Sequence, residues 1–480
     1  MVSALYFGTD LTLTLPTGAT TPYMLFSSRK LSSYAGAFGR VVRASDSTTQ
    51  DVAFRVDGVP DAAAADTFGT ATTIKIDKWY DQSGNGRDLV QATDASRPEF
   101  DIRNEFRGLR PVSFCGEALT GKVKFLQSED TLALSKTGIT VYMLVAPRCS
   151  YNGYGLFDFT SLDFLTSGLR MATIAGSNGT LLQVDGNISV QATTPLSQPT
   201  LISWSAGASQ IKRVGGVETT TASAFSSSVL ASLMVGKQAG ITQGAAFDLL
   251  FFAAYAAAHS SATMQLMEAE LARCFSPVTG QTKRVVYNGS SLIGGFGLVA
   301  NQYPTWIAGY GQPQEPTWEV FNLSSVATVQ GEYGLRASFV SFYDATKTRN
   351  VYVTDAASND ISNASAFANQ AAAETFADTT YSTYTLPLVA YHKTTGYALV
   401  VPTIIARSDH TTANFREYAR LRYNANVRSG AAANGYRASD RAATLSNFSD
   451  TTYFQGDGTH LTTAGSAALA AIDKTEILAA

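Results

Sequence analysis

Two residues near the end of the chain can do acid–base chemistry together. In GDGTHLTTAG, residues 456–465, Asp457 and His460 stand three apart in a glycine-flanked turn, a spacing at which one helical turn brings a carboxylate against an imidazole. An imidazole whose tautomer is held by a carboxylate can take the proton of a hydroxyl, and a serine is a poor nucleophile until something does so. Ser291, with Ser290 before it, lies in VVYNGSSLIGGFG. There a β-branched run meets a turn and a helix start, whose open backbone N–H groups can hold negative charge. The plainer reading of NGSS is a capping turn, and Ile293 occupies the second glycine position of G-x-S-x-G, which excludes that nucleophile elbow. Asn359, in VYVTDAASNDIS, ends another run and can donate its amide to an oxyanion; alternatively Asp360 caps the next helix. A third run ends in VFNLSSVAT, where small residues around Ala327 allow close backbone approach. The other three histidines, His259, His392 (in a Tyr/Lys/Thr loop) and His410, have no second histidine at metal-ligand spacing and read as surface or structural.

The elements that must position these residues follow from periodicity. After Lys283, the runs RVVYN, WEVFN, NVYVTD and YALVVPTII alternate with Ala-rich helical text. This βαβα rhythm predicts a parallel sheet covered by helices on both faces, with ligands beyond the carboxyl ends of its strands. A last strand has no clear place between Arg428 and Ser449. From Ala4 to about Ala258, short alternating runs such as TIKIDKWY and ITVYMLVA, broken by Gly, Asn, Ser and Pro, predict an all-β sandwich. Met264, Met267, Leu271 and Phe275 repeat at helical spacing behind Ser260 or Ser261 as N-cap. The predicted organisation is a sandwich over 1–275, a linker over 276–283 and an α/β domain over 284–480.

Composition narrows the function classes. A net charge of -3 with 15% charged residues provides no basic face for phosphate, so nucleic acid is excluded as a partner. No run reaches the roughly 20 apolar residues of a membrane span, and no export signal opens the chain. Cys115, Cys149 and Cys274 form neither a disulfide framework nor a metal motif and read as buried small apolar groups. The expected setting is extracellular or virion-associated, reached through a trimmed signal or cell lysis. A glycan at the Asn288 acceptor pattern would cover the Ser291 turn, which favours a bacterial or phage source.

NGSSLIGGFG, ASND and DGTHLTTAG, in that order, resemble the blocks of the SGNH (GDSL-type) hydrolases over roughly residues 283–480. The resemblance implies a three-layer, flavodoxin-like α/β fold, with Ser291 as nucleophile, Asp457 and His460 completing a triad, and Ser291, Ala327 and Asn359 as oxyanion donors. It implies no metal or organic cofactor. Ser290 stands where the family has aspartate, and Ala327 falls near its second-block glycine.

In the first half, WYDQSGNGRDLVQ (79–91) offers the flat faces of Trp79 and Tyr80 beside Asp81, Gln82 and Asn85, a mixture suited to a sugar. The alternative is a loop whose polar groups satisfy their own backbone. This string, with LISWSAGASQIKRVGGVE and SLMVGK, resembles the catalytic sandwich of fungal-type arabinofuranosidases and related concanavalin A-like and laminin G-like domains. A glycosidase needs two carboxyl groups flanking the bond, and no such pair is identifiable, so a binding or structural sandwich is preferred to a second enzyme. The expected function is a serine carbohydrate esterase that removes O-acetyl groups from a polysaccharide. The alternatives are an inactive phage tail or surface adhesin, for which a trimer would be suitable although no heptads argue it, and a glycosidase acting through the sandwich.

Overall fold

In TIKIDKWY the apolar residues Ile74 and Ile76 alternate with lysines, and the strand Ile74–Trp79 buries them on one face. Strict alternation would turn Trp79 to the opposite face. Pairing with Gly39–Arg43 aligns Val41 with Ile76 but Arg40 with Lys78, leaving Asp77 as an extra residue. Such a β-bulge switches which side chains face inward, and Trp79 joins the core.

This is a computed structural model, and it describes residues 12–16, 18–70, 72–100, 109–114, 123–147, 155–160, 169–173, 180–184, 187–192, 200–222, 229–230, 232–237, 247–275, 282–289, 292, 317–322, 343–354 and 357–480. The chain divides into two compact units, Met1–Pro277 and Val278–Ala480. Ser290, Ser291, Ala327, Cys115, Cys149 and most of the 276–283 linker lie outside the described residues.

The first unit is built from antiparallel strands in two large sheets. One is centred on Phe247–Tyr255, which pairs with Met24–Ser27 on one side and Ile139–Pro147 on the other. The second sheet contains Gly39–Arg43, Ile74–Trp79, Gly155–Thr160 and Ser232–Val235. Both contribute to a single apolar core, and aromatic rings bridge them: Phe26 lies 5.7 Å from Trp79, and Phe157 lies 5.6 Å from Phe252. The helix Ser261–Cys274 forms as its periodicity predicts, with the Ser260 hydroxyl accepting from the Thr263 amide at 3.2 Å and Met264, Met267 and Leu271 buried. Cys274 is a buried free thiol, and burial pushes it up to about 12.

The second unit holds the expected parallel sheet. Its strands lie in the order Trp318–Asn322, Lys283–Asn288, Arg349–Thr354, Ala398–Pro402, Arg437–Ser439, all in parallel register. In chain order this is 2-1-3-4-5, the flavodoxin-like arrangement. The strand that the sequence leaves unplaced is Arg437–Ser439. It is tied to the last helix, Thr463–Ala479, because Asp473 accepts from Ser439 Oγ at 2.6 Å and pairs with the buried Arg441 at 2.7 Å. His392, expected in a loop, sits instead in the helix Leu386–Thr395 and stacks on Tyr352 at 3.8 Å. Among the described residues no helix is long and apolar enough to cross a membrane.

Candidate functional site

The turn before the Thr463–Ala479 helix is shaped by two glycines. Gly458 has φ +61°, and a Cβ there would lie 2.8 Å from Ser408 Cβ; a Cβ on Gly465 would overlap the Tyr453 carbonyl oxygen. Within this turn Asp457 Oδ1 accepts the amides of Thr459 (2.9 Å) and His460 (3.0 Å), while Oδ2 lies 2.6 Å from His460 Nδ1. Burial alone would raise the Asp457 carboxyl, but the His460 and Thr459 hydrogen bonds outweigh it and bring it down to about 2. An ionised carboxylate only accepts, so the proton between the two residues belongs to Nδ1. That tautomer leaves Nε2 the basic nitrogen, the arrangement needed for proton transfer to or from a ligand. The His460 side chain is 18% exposed and that of Asp457 46%.

Asn359 is buried at the start of the helix Ser358–Asn363, behind Ala357, whose left-handed φ of +43° turns the chain out of the sheet. Its Oδ1 accepts from Arg407 Nη1 at 3.0 Å. Sequence reasoning missed Arg407 and Ser408. The only signal available was ARSD directly after the fourth strand, at the sheet end where ligands bind. Asp457 and His460 are placed on the turn before the last helix, and Asn359 in the first turn of the Ser358–Asn363 helix, all in one unit. Ser291 and Ala327 lie outside the described residues, so the triad and the oxyanion hole are not assembled by the structure. The remaining histidines are buried: His259 Nδ1 is 2.8 Å from Tyr142 Oη, His410 Nε2 is 2.9 Å from Ser362 Oγ, and His392 is wholly enclosed. They serve structure, although not at the surface. Among the described residues no group of three or more His, Cys, Asp or Glu could hold a metal.

Within the 79–91 string the sugar-contact expectation is corrected at Trp79. Trp79 is fully buried, 5.8 Å from Phe38, and cannot stack on a ligand. Asp81 accepts from the amides of Leu25 (2.8 Å), Ser83 (2.9 Å) and Arg87 (3.1 Å) and from Ser83 Oγ (2.7 Å). Gln82 donates to the Ser27 carbonyl and accepts from the Leu31 amide, each at 2.8 Å. Asn85 Nδ2 reaches the carbonyls of Pro22 and Tyr23, and Tyr80 Oη donates to Asp51 at 2.7 Å. The string is a staple joining the Met24–Ser27 strand to the Ile74–Trp79 strand, with Asp81 and Gln82 buried in it.

Comparison with known proteins gives a match to part of the chain. Residues 18–106 match the family described as alpha-L-arabinofuranosidase B, catalytic. Among individual proteins, the chain is 52% identical over 62 residues to the alpha-L-arabinofuranosidase B of Emericella nidulans, covering 13% of this chain and 12% of that protein. It is 48% identical over 62 residues to that of Aspergillus niger, with the same coverage. The chain thus spans about an eighth of the length of these curated relatives. Among solved structures, an arabinofuranosidase complexed with arabinofuranosyl-alpha-1,2-xylobiose is similar at 17% identity, over 53% of this chain and 62% of that one, with a TM-score of 0.43. A GDSL-like lipase from Bacteroides thetaiotaomicron is similar at 16% identity, over 45% and 97%, with a TM-score of 0.32.

These findings overturn the expectation of a carbohydrate esterase. The close sequence match is to arabinofuranosidases, whereas the lipase likeness is too distant to carry an activity. Neither the acyl-bearing substrate nor the phage-tail role is supported by these matches.

Proposed function

We propose that the chain acts outside the cell on arabinofuranosyl-bearing polysaccharide as a glycoside hydrolase, through the N-terminal sandwich. The observation that carries this reading is the 52% identity with an arabinofuranosidase B over 62 residues, together with the family match over 18–106. Cleaving a glycosidic bond requires two carboxyl groups, roughly 5–5.5 Å apart for retention or about 6.5–9.5 Å for inversion. In the matched span, Asp77, Asp81, Asp88 and Asp94 are committed to ion pairs and turn hydrogen bonds. The test is release of 4-nitrophenol from 4-nitrophenyl α-L-arabinofuranoside and of arabinose from arabinoxylan by the full chain. Release of both supports the reading, and a chain that neither releases sugar nor is retarded in an arabinoxylan affinity gel overturns it.

One observation favours a second reading, a sandwich that binds such polysaccharide without cutting it. In the most specific string of the matched segment, Trp79 is buried and Asp81 and Gln82 serve backbone groups, which fits a folding role. Retardation in the gel without arabinose release would select this reading.

A further inference from the structure

We propose that Arg407 and Ser408 are positioning residues that lock together the Asn359 helix and the Asp457–His460 turn, so that one dipeptide sets a polar site at the carboxyl edge of the parallel sheet. This site belongs to the C-terminal unit and is independent of the sandwich reading.

The two neighbours reach in opposite directions. Arg407 Nη1 donates to Ser358 Oγ at 3.1 Å and to Asn359 Oδ1 at 3.0 Å, while its Nε donates to Asp409 Oδ1 at 2.9 Å. A guanidinium has only donors, so the Asn359 amide must present its oxygen to Arg407. Its NH₂ is thereby turned away, which fixes the sense of an otherwise ambiguous amide. The Asp409 carboxylate holds the guanidinium plane, leaving little freedom for the fork. On the other side, the Ser408 amide donates to the Gly458 carbonyl at 2.8 Å, and its hydroxyl donates to the Asp457 carbonyl at 2.7 Å. The approach is close enough that Gly458 admits no side chain against Ser408. His410 and Arg416 extend the same grip along the helix. His410 Nε2 lies 2.9 Å from Ser362 Oγ, and Arg416 donates to the Ala364 carbonyl at 2.6 Å.

The consequence is coupling: moving either loop must move the other through residues 407 and 408. The experiment uses the full chain, isotope-labelled at asparagine and histidine, and compares Arg407→Lys, Ser408→Ala and Gly458→Ala with the parent by NMR. With four histidines in the chain, the His460 ring signals can be assigned by loss in a His460→Gln control. Lysine keeps the charge but lacks the planar fork whose Nε is held by Asp409 while Nη1 serves the helix, so hydrogen exchange of the Asn359 side-chain amide should quicken about tenfold, and the His460 ring signals should shift with it. Gly458→Ala should displace the Asn359 amide signals as well as those of His460. If that variant does not fold, Ser408→Ala makes the same comparison without a clash. Arg407→Lys changing only Asn359, with Ser408→Ala or Gly458→Ala changing only His460, would mean independent loops and overturn the proposal.

Discussion

The turn after the Ile74–Trp79 strand and the turn before the Thr463–Ala479 helix are both built on an aspartate among glycines. Asp81 spends both oxygens on three backbone amides and a hydroxyl, Gln82 bonds the Ser27 carbonyl and the Leu31 amide, and Asn85 donates to the Pro22 carbonyl. Asp457 uses one oxygen on the turn and turns the other to an imidazole. The first turn is tied to the neighbouring strand's backbone, while the second holds an imidazole in one tautomer at a half-buried position. Similar composition therefore hides opposite uses, and the number of backbone groups that a side chain serves tells them apart.

That contrast can be broken at its strongest point first. Trp79→Ala should cost about 3–5 kcal/mol through the cavity left in the sandwich, measured by chemical denaturation. Trp79→Phe should retain polysaccharide binding; its loss in a folded protein would restore the sugar-contact reading of this residue. Asp81→Ala should cost about 3 kcal/mol, since it strands buried amides that nothing else serves; a change below about 1 kcal/mol would show that the staple is dispensable.

A third prediction concerns acid. Burial lowers His392 from the ordinary 6.5 to about 3, and burial followed by the Arg407 charge does the same for His410. The unfolded chain takes up protons below about pH 6.5 and these two folded sites do not. Stability should therefore be complete above that value and fall as pH drops toward 3, by about 2 kcal/mol per histidine between roughly pH 6.5 and 5. Thermal unfolding of the full chain against pH measures this, and His392→Phe, which keeps the stack on Tyr352, should remove about half of the slope. The smallest effect is expected at the second turn. Asp457→Asn should change stability by no more than about 1 kcal/mol, because the side chain is largely solvated, yet abolish the preference for the Nδ1–H tautomer seen in the His460 ring spectrum.

What could be read from the chain follows the same division. Asp457 and His460 were legible because residues three apart on one turn meet whatever the rest of the fold does. The helix Ser261–Cys274 and the four leading parallel strands were legible because their periodicity is local. Trp79 was misread because a single bulge at Asp77 reverses inward and outward, and nothing in TIKIDKWY announces it. Arg437–Ser439 escaped because three residues carry no period. Arg407 and Ser408 escaped because their partners lie about fifty residues away on either side. The esterase expectation failed for another reason: it weighed the second half of the chain, while the family match lies in the first.

The pairing of Met24–Ser27 with Phe247–Tyr255 has a consequence for synthesis. A ribosome makes the first strand more than two hundred residues before its neighbour, so MLFS, buried at every position, waits with open edges until the sandwich is nearly translated. Closure over such a separation is slow, and a waiting apolar strand is exposed to the wrong partner. The parallel sheet, whose strands pair with others nearer in the chain, begins only after that wait is over. Slower translation near residue 255, or a chaperone that covers the nascent first strand, should raise the yield of folded chain.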